Sequence, residues 1–448
     1  VAGTAETWPR QAPLDRLLRK ETLAFAAFAA LQTWLIFTHA PWVDEEHALL
    51  IARAPFSELL GNLKYEGHPA LWYLYLGLVD RVVGGTPLSL PIAVAPLSIG
   101  ILALVWLRSP FPFLAKALLG VSYFLCFEYG VISRSYALGA LLLLGAVTVR
   151  ETRWAWLLLA LAANCSAHDL FAAVALGALL YARREDPEGL AVLLAGILIA
   201  FLTVTPAARD LHPTAGAPVG PLPIRIRDGL EQLSTAFIPS IPSFPYKWMN
   251  LVPLPWGLGV TLAAGILGAL ALPDRVSRLA FCSLFIGLVG LAALAYALSP
   301  RHAGVLFVFL VCGLWLALDE GKKLNWAAWT WLVAGAVCGA PFIATAYARP
   351  FSHSIAVADW IKAHGLANET WGAWPGLEGP MITTELGRPT ANLEKGCLNT
   401  FVRWDYPHEM VPDPAWHVRA AGVKYVVSET PIPGGRLLAH FEPGAVRE

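Results

Sequence analysis

The sequence predicts a mainly α fold: a polytopic transmembrane helical bundle of about eleven spans, followed by a small extracytoplasmic α/β domain. Three observations predict it. The chain is 56% hydrophobic and only 14% charged, with a mean hydropathy of +0.56, well outside the range of an ordinary soluble domain. Apolar runs of about 16 to 22 residues recur up to residue 347, close to what a helix needs to cross a hydrocarbon core. From residue 349 onward the sequence turns mixed, charged and rich in Pro and Gly, which places a domain boundary near Pro350 and divides the chain into 1–349 and 350–448.

The spans follow from apolar runs at 22–40, 88–107, 113–128, 135–149, 154–167, 169–182, 190–206, 251–272, 279–298, 303–319 and 326–347. The first run follows an arginine-containing tail and exceeds a signal-peptide core, so it is expected to be a retained anchor. The stretch PALWYLYLGLVDRVVG after His68 is interrupted by Asp80 and Arg81. About 15 residues at 1.5 Å rise reach about 22 Å, short of a roughly 30 Å core, so residues 69–83 are expected to form an interfacial helix within a first outer loop at 41–87.

With that segment off the span list, Arg108 and Lys116, Arg150 and Arg153, Arg183 and Arg184, Arg275 and Arg278, and Lys322 and Lys323 fall on one side. Arg10, Arg16, Arg19 and Lys20 join them. By the positive-inside rule this side is cytoplasmic and the region after residue 350 is outside. Asp44, Glu45, Glu46, Glu128, Arg134, His168, Asp169, Arg301 and His302 then all fall at the outer ends. Charges at membrane depth are costly and mark a pathway or a site, so their shared face points to one outward-opening cavity.

The 32 basic and 32 acidic residues cancel, and no Lys/Arg run is dense enough for a nucleic-acid surface, so nucleic acid is not expected as a partner. Six cysteines, five of them in or beside apolar runs, give neither a disulfide framework nor a CxxC metal signature.

Four elements carry candidate chemistry. PWVDEEHALL, directly after the first run, sets Asp44, Glu45 and Glu46 beside Trp42 and His47; as a helix start the acids complement the dipole, and on the outer face they read as a site. In YEGHPALWYLYL, Gly67 and Pro69 fix a turn that holds His68 at the water boundary. FEYGVISRSYAL brings Glu128, Arg134 and Tyr136 to a helix junction, where Glu128 and Arg134 read equally as a salt bridge or as substrate contacts. SPRHAGVL opens a helix with Arg301 and His302, where free backbone amides favour an anion, so Arg301 with those amides makes a phosphate seat. The loop 207–250, with Arg225, Arg227 and Lys247, is long enough for a lid.

An acidic pair in the first outer loop, a GHP turn before an aromatic interfacial helix, and an R-x-Y-A-L element after the third span together resemble the GT-C superfamily of membrane glycosyltransferases. The polar C-terminal region looks like that of its aminoarabinose-transferase and protein-mannosyltransferase-like branch. The resemblance covers about residues 20 to 448, with its motifs concentrated in 41–76 and 126–140. It implies an inverting transfer of a sugar from a polyprenyl-phosphate donor to a lipid or glycan acceptor, at the outer face of a bacterial inner membrane. An aspartate of the first outer loop would be the base. That role falls on Asp44, with Glu45 adjoining; a third acid, Glu46, and GHPA in place of a second proline depart from the common form and leave the base open between Asp44 and Glu45. The sequence identifies no cofactor, and a divalent metal is compatible with the resemblance.

Inversion needs one carboxylate to take the acceptor proton while a phosphate leaves from the opposite face, roles that Asp44 and Arg301 can supply; a retaining double displacement needs a nucleophile as well as an acid/base, and the acidic cluster leaves it open. His68, Glu128, Arg134, Tyr136 and His302 are candidate substrate contacts. In the C-terminal region, SIAVADWIKAHG and PAWHVRAAG read as helices and VKYVVSE as a strand, with Arg403 and Trp404 able to meet a sugar or pack a core. A transporter or flippase of a lipid-linked sugar is the alternative, but no paired repeat of broken helices marks one. A non-catalytic assembly subunit is the third reading, and it leaves the acid cluster unexplained.

Overall fold

In a computed structural model of the protein, the residues described are 20–204, 220–237, 257–295, 297–348, 350–375, 378–394, 397–399, 401, 418–419 and 421–441. Arg10, Arg16, Arg19, Lys247, Arg403, Trp404 and most of PAWHVRAAG lie outside them. The fold is mainly helical. Helix α1 spans Lys20–Thr38, and the loop after it holds α2 (Val43–Arg53), α3 (Phe56–Asn62) and α4 (Leu71–Val83). Then come α5 (Ser89–Ala103), α6 (Phe113–Gly120), α7 (Ser135–Thr148), α8 (Trp154–Ala162), α9 (Ala167–Arg184) and α10 (Pro187–Val204). Helices α11 (Leu222–Leu233), α12 (Gly257–Ala271), α13 (Arg275–Leu294), α14 (Pro300–Asp319) and α15 (Trp326–Ala348) complete the bundle.

Each apolar run contains a helix, and among the described residues five of the helical segments are long and apolar enough to cross a membrane: Lys20–Thr38, Ser89–Arg108, Pro187–Val204, Arg275–Leu294 and Pro300–Asp319. Twenty residues at 1.5 Å give α14 a length of about 30 Å, that of a hydrocarbon core. It is apolar all round and buried almost end to end, so it is the central helix. Peripheral helices instead expose large apolar side chains, including Leu198 and Leu202 on α10, Ile266 on α12 and Ile286 on α13. Bare apolar faces of that kind suit lipid contact.

The run at 113–128 is not one straight helix. It breaks after Gly120 and resumes as a π-helical turn over Tyr123–Glu128. There the Tyr129 N–H reaches the carbonyl of Phe124 five residues back, a wide turn that recurs at functional sites.

Helices α7, α9 and α14 run in the same direction, because both their ends meet. At the start, the rings of Tyr136, His168 and His302 touch. At the finish, Arg150 pairs with Asp319 at 2.9 Å and Arg183 with Glu320 at 2.6 Å. The bundle therefore has two polar ends about 30 Å apart. One is a surface ion-pair network that also includes Asp274 and Lys322. The other is buried.

Helix α4, too short to cross, lies against α2. Gly77 makes this possible, since a Cβ there would sit 2.6 Å from the Ala52 carbonyl oxygen. The two charges that break its apolar pattern act as pins. Asp80 takes Arg53 at 3.2 Å and the Ser89 hydroxyl at 2.6 Å, while Arg81 donates to the carbonyl of Ala54 at 3.1 Å. Leu74, Leu78 and Val82, spaced by four, form its exposed apolar stripe.

After residue 350 come α16 (Ser354–Ala363), β1 (Trp371–Trp374), α17 (Gly379–Leu386), β2 (Thr390–Asn392), β3 (Cys397–Asn399) and β4 (Tyr425–Ser428). The strands form one sheet in the order β3-β2-β1-β4, with β1 parallel to both neighbours and β3 antiparallel to β2. Ile361, Trp371 and Ile382 form its small core, and Trp371 stacks on Tyr425 at 5.0 Å. This region is tied back to the segment that follows α1. The hydroxyls of Ser352 and Ser354 both donate to the Pro41 carbonyl, Phe351 packs on His39 and Trp42, and α17 lies on α2.

Candidate functional site

The site is built around the first turn of α2. Consecutive residues on a helix point about 100° apart, so three acids in a row must face three different environments. They do.

Asp44 faces two arginines from distant segments. Arg301 Nη1 lies 2.7 Å from Asp44 Oδ2, and Arg134 Nη2 lies 3.6 Å from the same oxygen. Arg134 Nη1 also donates to the Asp44 carbonyl at 2.7 Å. Arg134 therefore pairs with Asp44 and not with Glu128, so the salt bridge weighed for that helix end is not formed. The Arg301 guanidinium lies over the Trp42 ring, 5.2 Å from its centroid. Burial disfavours the charge on Asp44, but Arg301 and then Arg134 outweigh it and hold the carboxyl below its ordinary value.

Glu45 turns inward as a strut. Its Oε2 accepts the N–H of Trp42 at 3.2 Å, which caps the helix, and meets His39 Nε2 at 2.8 Å. Its Oε1 accepts the Ser133 N–H at 2.6 Å. A single side chain thus fixes the start of α2 against the residue preceding Arg134, and so sets where Arg134 meets Asp44.

Glu46 faces α17. It is fully buried, and among the described residues neither carboxylate oxygen has a well-formed hydrogen bond. Burial first, and then the neighbouring Glu385, raise its pKa well above the usual value, against smaller opposing effects of the Thr384 hydroxyl and Arg53. An acid raised in this way contributes its full stability below the pKa of the unfolded chain and loses it as pH rises through the folded value. Glu46→Gln mimics the protonated form, so the variant should gain thermal stability over wild type as pH is raised. A difference that stays constant with pH would show that Glu46 does not titrate against α17.

The remaining candidates are placed as follows. His68 is buried and shares the surroundings of Arg134, Glu66, Arg301 and Asp44; burial, with Arg134 next, brings its pKa down to about 4, so at neutral pH it is an uncharged imidazole. Tyr136 stacks on Tyr129 at 5.4 Å, and the Tyr129 hydroxyl donates to the Arg301 carbonyl at 2.7 Å, which fixes the start of α14. His302 stacks flat on His168 at 4.0 Å, and its Nδ1 accepts the Ser299 N–H at 2.8 Å, so it caps its own helix. Glu128 is buried and accepts the Tyr123 hydroxyl at 2.7 Å. Asp169, beside His168, accepts the Ser166 hydroxyl at 2.6 Å, and Ser166 caps α9 by accepting the Asp169 N–H at 3.0 Å. Asp44, Glu45, His68, Arg134, Tyr136, Arg301 and His302 thus form one connected constellation, while Glu128 lies one residue from Tyr129 at its edge.

Glu66 is the residue that sequence reasoning passed over. It bonds His47 through Oε1 and accepts the Tyr73 hydroxyl at Oε2 at 2.7 Å. Although burial opposes ionisation, His47, His68 and Tyr73 together bring its pKa down to about 2. The one local signal was a carboxylate two residues before His68 in the GHP turn.

Among the described residues no group of three or more His, Cys, Asp or Glu side chains is arranged to hold a metal ion. Two arginines and a neutral histidine beside a carboxylate are groups able to hold an anion next to a proton acceptor. No protein-family model matches the chain, and no curated protein or solved structure matches it either.

Proposed function

We propose that the protein is an inverting glycosyltransferase of the GT-C type, which moves a sugar from a polyprenyl-phosphate carrier to a lipid or glycan acceptor at the outer face of a bacterial inner membrane. The observation that carries this reading is the meeting of Asp44, Arg134 and Arg301, which joins a carboxylate to two cations on one buried oxygen. Asp44 takes the proton of the acceptor hydroxyl as that oxygen attacks the anomeric carbon. The bond from that carbon to the phosphate oxygen breaks, and the polyprenyl phosphate leaves with the electron pair. Arg301 and Arg134 take up the charge developing on it, the part of the reaction in which fixed cations in a water-poor site are most effective. Glu45 is a positioning residue, and Trp42 gives Arg301 a platform.

In the same reading the eleven helices cross the membrane, the N-terminus is inside, and the region from 350 to 448 is an extracytoplasmic α/β domain that covers the site through α17. The direct test supplies the purified protein with a polyprenyl-phosphate-linked radiolabelled sugar and an acceptor extract, and asks for transferred label. Binding without transfer under all conditions would favour a transporter of the lipid-linked sugar. For the topology, a single cysteine introduced at Gly376 should react with an impermeant thiol reagent from outside only; labelling from the cytoplasmic side alone would overturn the orientation.

A further inference from the structure

The pairing of Asp44 with Arg301 raises a chemical difficulty for the reaction just described. A base held by two guanidiniums is a poor base, and guanidiniums held by a carboxylate are not available to a phosphate. Both difficulties disappear if the two anions take turns. We propose that Asp44 is the resident occupant of the donor-phosphate seat, holding Arg301 and Arg134 in the free protein until the phosphate of a lipid-linked donor takes them over and releases the carboxylate to act as base. The inference rests on the glycosyltransferase reading.

Three features support it. First, the two guanidiniums converge on a single oxygen of Asp44 from segments far apart in the chain. That leaves a carboxylate gripped through one corner, where a tetrahedral phosphate offers separate oxygens to two arginines. Second, the arginines are held differently. Arg134 is bound to the Asp44 carbonyl as well as to its carboxylate and follows the Ser133 amide locked by Glu45, so it remains in place when the carboxylate leaves. Arg301 lies on the Trp42 face, a surface that tolerates sliding while keeping the cation desolvated. Third, Arg134, Arg301 and Asp44 are all largely buried, with side-chain exposures of 7, 13 and 13%. At such depth the exchange of one anion for another is favoured over leaving two cations uncompensated. The consequence is an order of events: donor phosphate first, base activation second, acceptor deprotonation third. After transfer, the protonated Asp44 passes its proton to the departing phosphate monoester, and the restored carboxylate recaptures the arginines and helps expel the polyprenyl phosphate.

The test is binding, not turnover. Polyprenyl monophosphate is titrated into the purified full chain in nanodiscs, for wild type, Asp44→Asn, Asp44→Ser and Arg301→Ala. Removing the competing carboxylate should tighten binding about tenfold in both Asp44 variants, a change of about 1.4 kcal/mol, while Arg301→Ala should weaken it. The Asp44 variants should also lose thermal stability without lipid phosphate and recover it when the lipid is added, more than wild type gains. Equal or weaker binding by both Asp44 variants, with wild-type binding still dependent on Arg301, overturns the exchange and leaves the glycosyltransferase reading standing. Failure of every form to bind polyprenyl phosphate, together with absent transfer, overturns that reading as well. Inorganic phosphate and phosphatidic acid are run in parallel. An equal response to either assigns the seat to phosphate in general and overturns its assignment to the donor.

Discussion

Asp44→Asn should lower the single-turnover rate of sugar transfer about 10²- to 10⁴-fold, the usual contribution of a positioned general base. The amide keeps the shape of the side chain and cannot take a proton. Glu45→Gln should behave differently, because Glu45 uses its two oxygens to hold Trp42, Ser133 and His39. The amide retains one acceptor oxygen, so one backbone N–H is left unsatisfied, at a cost of about 1 to 3 kcal/mol in stability. Its effect on rate should be smaller and should come through displacement of Arg134. Rapid-quench measurement on both purified variants, with folding checked by gel filtration, separates the roles. A dead, folded Glu45→Gln beside a fully active Asp44→Asn would make Glu45 the base. If both variants turned over at the wild-type rate, the acidic loop would have no catalytic part and the glycosyltransferase reading would fall.

The helices were legible in the sequence because long apolar runs mark them, and each run contains a helix, although those in 113–128 and 154–167 stop short of the expected ends, at Gly120 and Ala162. Less legible was the break at Gly120, since an apolar π-helical turn such as Tyr123–Glu128 has the same composition as the helix it interrupts. Of the interfacial helix expected over 69–83, the structure shows a short helix, Leu71–Val83, whose apolar pattern is broken by Asp80 and Arg81. Their role as pins to Arg53 and Ala54 was out of reach, because it depends on how α2 and α4 pack.

Within the site, Asp44, Arg134, Arg301 and His302 meet at one end of the bundle, the end at which the apolar runs placed them, but their partners were not legible. Arg134 has a carboxylate six residues away in Glu128, and local reasoning pairs the two. The fold instead pairs it with a residue ninety positions earlier. Glu45 and Asp44, adjacent and chemically alike, differ only in the direction of one helix turn, which is why the sequence left the base open between them.

Glu66 supports the site from below, and its loss should be the largest single cost to stability. With a pKa of about 2 against an ordinary 4.5, it is worth about 3 kcal/mol at neutral pH, since each pH unit corresponds to about 1.4 kcal/mol. The side chain is only 4% exposed, so solvent screening does little to reduce that figure. The sign follows from the direction: a carboxyl lowered by folding contributes above the unfolded value and loses its contribution as pH falls from about 4.5 toward about 2. Glu66→Ala, which strands His47 in a buried position, should cost about 3 to 5 kcal/mol. Glu66→Gln should cost less and should remove this part of the acid sensitivity. The partner is tested by a cycle of Glu66→Gln, His47→Gln and the double variant in thermal unfolding at pH 7. Contacting residues joined by a side-chain hydrogen bond should show a coupling of about 0.5 to 3 kcal/mol. Simple additivity would mean that His47 and Glu66 act separately, and α2 would then be held against the GHP turn by packing alone. With coupling, loss of either member should loosen the helix that carries Asp44, and transfer should fall in parallel with stability even though neither residue touches the donor phosphate.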